Sequence, residues 1–107
     1  MSHENTVHRI DKFAVSSDLL PSFLEGVYAS HQAIDGLAGM VRNEVLIQSG
    51  GEGEFNVVTH VVWVNDESYQ NAIAAMSRFH ERRGGRPNID PSVKTDLATY
   101  RPTDFRK

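Results

Sequence analysis

The sequence contains no cysteine, which excludes disulfides, a thiolate nucleophile and cysteine-based zinc or iron–sulfur sites. It also lacks a long apolar run: no stretch approaches the roughly 18 residues of a membrane span. The polar start MSHENT does not read as a secretion signal, so a cytoplasmic protein is the expectation. Excess positive charge is absent too. Eleven Lys and Arg against fourteen Asp and Glu give a net charge of −3, which leaves no basic field to hold nucleic acid or an anionic membrane. What remains is 107 residues, 39% hydrophobic and 23% charged, enough for a single globular domain over 1–107. Its core is expected over about 7–100, with a polar tail at 101–107.

Hydrophobic periodicity divides the chain into β-α-β-β-α-β. A first strand runs from Val7 to Val15. Ser17 and Asp18 are placed to cap the helix that follows, with Pro21 in its first turn, where a missing N–H costs nothing. Leu20, Phe23, Leu24, Val27, His31 and Ile34 recur at spacings of three and four and share one face. Gly36 and Gly39 end the helix. Met40 to Gln48 alternates as a second strand, and Gly50 to Glu54 reads as a loop to the third. Those glycines lack the Lys-Ser/Thr ending of a phosphate-binding loop and precede no helix, so they are turn residues.

The third strand, Phe55 to Val64, has the strongest β character. Asn65 or Asp66 caps a second helix with Tyr69, Ala72, Ile73, Met76 and Phe79 as its apolar stripe, stopped by Gly84-Gly85. A loop containing Arg86 to Pro91 leads to a last strand from Val93 to Tyr100. Two amphipathic helices cover one face of a four-stranded antiparallel sheet. The third strand is apolar on both, with Phe55, Val57, Val61 and Trp63 on one side and Val58, Val62 and Val64 on the other. Leaving three valines in water forfeits several kcal/mol at about 25 cal/mol per Å². The expectation is therefore a homodimer, two copies packed through the open sheet face. The first strand carries Arg9, Asp11 and Lys12. Either Arg9 and Asp11 share a face and pair, or a bulge near Lys12 separates them.

The stretches VHRIDKFAV, GLAGMV and VVTHVVWVNDESYQNA resemble the antibiotic biosynthesis monooxygenase family, over about His8 to Tyr100. The resemblance implies a ferredoxin-like α+β subunit that pairs into a dimeric α+β barrel. Among the activities it implies are cofactor-independent oxygenases of aromatic substrates, haem-degrading enzymes and quinol monooxygenases. By resemblance to the polyketide-modifying oxygenases, Trp63 lines a pocket between sheet and helices, Tyr69 and Arg83 are catalytic, and Thr59 stands where those enzymes have an asparagine. Resemblance to the haem-degrading branch ends at Trp63, because Ala72, Ile73 and Ala74 occupy the stretch where its iron-ligating histidine belongs.

The expected pocket is lined by Phe23, Val27, His31, Trp63, Tyr69 and Phe79, and takes a phenolic or quinol-like aromatic, with molecular oxygen as co-substrate and no cofactor. His31 is either a general base near neutral pH or a helix-end histidine favoured by the dipole. His60 falls on the presumed dimer side. The histidines show no HxH or HExxH spacing, so no metal site is expected. Arg78, Arg82, Arg83 and Arg86 crowd the end of the second helix, and Arg83 is the candidate there for a substrate oxygen. RNA-recognition domains share the element order, but their exposed aromatic and basic strand signature is missing. A non-catalytic small-molecule binder of the same fold is the alternative function.

Overall fold

The computed structural model describes residues 5–82, 84 and 89–106. The elements are β1 (Val7–Ala14), α1 (Leu20–Ile34), β2 (Met40–Ile47), β3 (Val57–Trp63), α2 (Asp66–Arg82) and β4 (Lys94–Tyr100). They form one antiparallel sheet in the order β2-β3-β1-β4, with both helices on one side: the ferredoxin-like α+β arrangement. Among the described residues no helix is long and apolar enough to cross a membrane.

Local chemistry sets the boundaries. α1 is capped by Leu19, without a side-chain bond, rather than by Ser17 or Asp18. Leu19 N–H closes a turn onto Ser16 O at 3.1 Å, which uses up the two residues the sequence offered as caps. Pro21 does sit in the first turn. The Asn65 side chain accepts from Ser68 N–H at 2.9 Å and caps α2, and Gly84 follows its end at φ +88°. β3 starts at Val57 because the Asn56 amide bonds both Val15 N–H and Val15 C=O at 2.8 Å, tying the strand's entry to the end of β1.

The α1–β2 corner turns through Gly36 and Gly39, both at positive φ. Gly39 is required twice over: its φ of +84° suits no side chain, and a Cβ there would overlap Ser68 in the first turn of α2. Its carbonyl accepts Val64 N–H at 2.8 Å, fastening the corner to the end of β3.

β1 runs unbroken in register with both neighbours, Asp11 opposite Thr59 and Leu97. The bulge considered near Lys12 does not form, and Arg9 and Asp11 share the helix-facing side. The irregularity lies in β2 instead, where Met40 pairs Trp63 but Arg42 pairs Val62. Val41 is the extra residue. Side chains alternate sides along a strand, so this bulge turns Asn43, opposite Val61, toward the helices.

The core divides in two. Phe13, Val15, Val57 and Val93 gather with Leu19, Leu20, Phe23 and Leu24 near the start of α1. Ile34, Val61, Trp63 and Ala72 gather with Tyr69, Met76 and Met40 at the other end. The open side of the sheet carries His8, Ile10, Lys12, Val58, His60 and Val62. Val62, expected to be wet in a lone subunit, is 4% exposed, between the flanking His8 and Arg42 positions, while Leu46 and Tyr100 on that face are each 45% exposed.

Candidate functional site

Between the two apolar clusters lies a cavity of about 860 Å³, within the size range of small-molecule sites. Phe13, Phe23, Val27, Ile34, Val61, Trp63 and Met76 give it apolar walls. Ile73, Ile89 and Leu97 also line it and are 42%, 46% and 49% exposed, so its mouth is apolar and lies between α2 and β4.

The floor is polar. Arg9 and Asp11 stand two apart on β1, facing the helices. Arg9 Nε donates to Asp11 Oδ1 at 2.6 Å and Arg9 Nη1 donates to Tyr69 Oη at 3.1 Å. The guanidinium thus links the sheet to the first part of α2. Arginine only donates, so Tyr69 accepts from it and keeps its own phenolic proton to give elsewhere. Thr59, 5% exposed, sits opposite Asp11 in the ladder. Burial pushes the Asp11 carboxyl above its ordinary range, against the pull of the Arg9 hydrogen bond and charge, of His31 and of the Ala98 N–H. Burial works against the Arg9 cation as well, but its bonds to Asp11 and Tyr69 outweigh that and hold it above its usual value. Both shifts are upward, so at the acid burial outweighs the pairing.

His31, on the cavity face of α1, is held by Asn43 of β2: the ring Nδ1 meets Asn43 Oδ1, while Asn43 Nδ2 donates to the His31 carbonyl at 3.1 Å and to Asp35 Oδ1 at 3.0 Å. That carbonyl is among the last four of the helix, which have no intrahelical donor.

Of the residues expected from sequence, Trp63, Tyr69, Thr59, Phe23, Val27 and His31 all line the cavity. Trp63 is at the same time a core residue, 2% exposed. Phe79 does not line it: the cavity face of α2 runs through Tyr69, Ile73, Met76 and His80, and Phe79, one residue from that line, is turned by 100° and lies beside the His80 ring at 5.5 Å. Arg83 lies outside the described residues. Arg9, Asp11 and Asn43 escaped the sequence reading as site residues. The signal for the first two was present in their spacing, whereas that for Asn43 was hidden by the bulge. Among the described residues no group of three His, Asp or Glu is placed to hold a metal ion.

No protein-family model matches the sequence, and no curated protein matches it. Solved structures share the fold. SnoaB, a cofactor-independent oxygenase from Streptomyces nogalater, superposes with a TM-score of 0.64 at 12% identity, over 95% of this chain and 97% of that one. The haem degrader MhuD from Mycobacterium tuberculosis, with two haems bound in its active site, gives 0.61 at 21% identity, over 89% and 93%. A conserved protein from Methanosarcina mazei gives 0.67 at 12% identity, over 94% and 96%. At these identities the likeness is one of fold, and a fold of this kind hosts several chemistries.

The turn of α2 beside Trp63 offers Ala72, buried in the cavity wall. His80 further along also lines the cavity, with a buried Nδ1 that has no partner among the described residues.

Proposed function

We propose that this chain is a cofactor-independent monooxygenase acting on a phenolic or quinol-type aromatic molecule held between helices and sheet. The observation that carries the reading is the cavity of about 860 Å³ with aromatic walls and one cluster of polar groups, Arg9, Asp11, Tyr69 and Thr59, on its floor. An aromatic guest fills the walls, and its oxygen substituent reaches the floor, where Tyr69 donates its proton and Arg9 supplies positive charge. Loss of a proton makes the guest an electron-rich anion, which passes one electron to O₂. The resulting radical and superoxide recombine at a ring C–H carbon to a peroxide anion, which takes back the proton lost earlier and then, with that carbon's hydrogen, leaves water and a quinone carbonyl. Trp63 acts as the stacking wall, and Arg83, by the sequence resemblance, as a second cation near the end of α2.

We read the functional unit as a soluble homodimer formed through the open sheet face. Exposed Leu46 and Tyr100 on that face support this.

Oxygen uptake with a panel of anthrones and quinols tests the activity. Turnover should fall at least tenfold in Tyr69→Phe and in Arg9→Met. A second reading, a dimeric small-molecule binder without turnover, is favoured by the Arg9–Asp11 pairing, which already satisfies the cation, and by Thr59 at the family's asparagine position. Thermal stabilisation by the panel without oxygen uptake would select it. A haemin titration should leave the Soret band unshifted.

A further inference from the structure

The side-chain amide of Asn43 has only one possible orientation. Its Nδ2 points at the His31 carbonyl and at Asp35 Oδ1, and a backbone carbonyl can only accept. The other end, Oδ1, therefore faces His31 Nδ1 and can only accept in turn. Nδ1 must carry the ring proton, and in the neutral imidazole Nε2 is left with the lone pair. The helix terminus sets the amide, and the amide sets the tautomer. None of this would hold without the Val41 bulge, which turns Asn43 to the helix side of the sheet.

Given the cavity reading above, on which this step rests, we propose that His31 Nε2 accepts the proton of an acidic hydroxyl on the aromatic guest, and that Asn43 is the positioning residue that makes the accepting nitrogen available. The guest's O–H bond breaks with its electron pair staying on oxygen, and an N–H bond forms at Nε2, giving imidazolium and phenolate. The groups around His31 suit that outcome. Asp11 on β1 lies close enough for their charges to interact and stabilises the imidazolium, while Arg9 and Tyr69 stand on the phenolate's side. The other titratable groups lining the cavities with His31 are His80 from α2, Tyr28 and Asp35 from α1 and its end, and Asp90 before β4. The substrate class narrows accordingly to phenols and enols acidic enough to lose a proton to an imidazole. A methyl ether of the same ring system would bind without being activated.

The probe is 1,3,8-trihydroxy-6-methylanthraquinone, whose visible band moves to longer wavelength on losing a phenolic proton. Titrated while bound to the full chain, its ionisation midpoint should fall at least one pH unit below that of the free dye. His31→Asn should restore the free value and Asn43→Ala part of it. Asn43→Asp, whose carboxylate still accepts from Nδ1–H and adds negative charge beside the ring, should hold the midpoint at or below the wild-type value. Independently, two-bond ¹H–¹⁵N correlation on the ligand-free wild type should show His31 in the Nδ1–H tautomer, a test that needs no variant to fold. An Nε2–H tautomer, or an unchanged midpoint in a folded His31→Asn that binds the dye, overturns the proposal while the cavity reading stands. Failure of the dye to bind wild type overturns both.

Discussion

The two faces of the sheet are built from alternating residues of the same strands, yet they carry opposite kinds of polarity. On the helix side, Arg9, Asp11 and buried Thr59 lie between two apolar clusters, and the half-buried Arg9 bonds to Asp11 and to Tyr69 of α2. On the open side, His8 and His60 meet at 2.9 Å among Lys12, Arg42, Glu44 and exposed Leu46 and Tyr100. One face spends stability to hold charge in a confined place, and the other keeps charge at the surface, where it costs little. The difference singles out the helix side as the candidate site, because there a charged pair is held inside an apolar cavity.

Four changes would break or sharpen that contrast. Trp63→Ala, which empties the best-buried large side chain on the helix side, should lower stability by about 3–5 kcal/mol in urea unfolding. Asp11→Leu should cost about 1–2 kcal/mol, the penalty for an unpaired charge discounted for the partial exposure of Arg9. The double variant Arg9→Met/Asp11→Leu should recover most of that loss, with oxygen uptake abolished. If the double variant were no more stable than the single one, the pair would be a structural element and the contrast would fail. On the open face, Leu46→Glu with Tyr100→Lys should change the unfolding free energy of one chain by less than about 0.5 kcal/mol while shifting the mass in sedimentation from two chains to one.

The smallest effect concerns pH. Burial, then the nearby His60 and Arg42, hold His8 below its ordinary value. The unfolded chain therefore binds the proton more readily, so the stability is complete above about pH 6.5 and declines as pH falls through the folded value. For this part-buried group the loss should be a few tenths of a kcal/mol, and His60→Gln, which leaves the effect of burial in place, should reduce it.

Much of this was legible in the residues. The helix stripes, the doubly apolar third strand and the turn glycines placed every element, and the two-residue spacing of Arg9 and Asp11 already allowed their pairing. Two things were not legible. A single extra residue, Val41, inverts the side on which Asn43 falls, and no periodicity reports which of two neighbours is the bulged one. Phe79 was assigned to the cavity because hydrophobicity marks a broad stripe, whereas a wall is one narrow line within it, and a 100° step separates the two.

Gly39 sits at the α1–β2 corner, touching neither Arg9 nor any atom of the cavity floor, but it sets how closely that corner approaches the first turn of α2. Because Ser68 occupies the space a methyl would need, Gly39→Ala would lever the start of α2 outward and take the neighbouring Tyr69 with it. The hydroxyl's 3.1 Å reach to the guanidinium leaves no slack for that. A position that a survey of pocket residues would pass over is thus a remote adjustment of the pocket's width, and random mutagenesis should find it among the sites where activity disappears before the fold does.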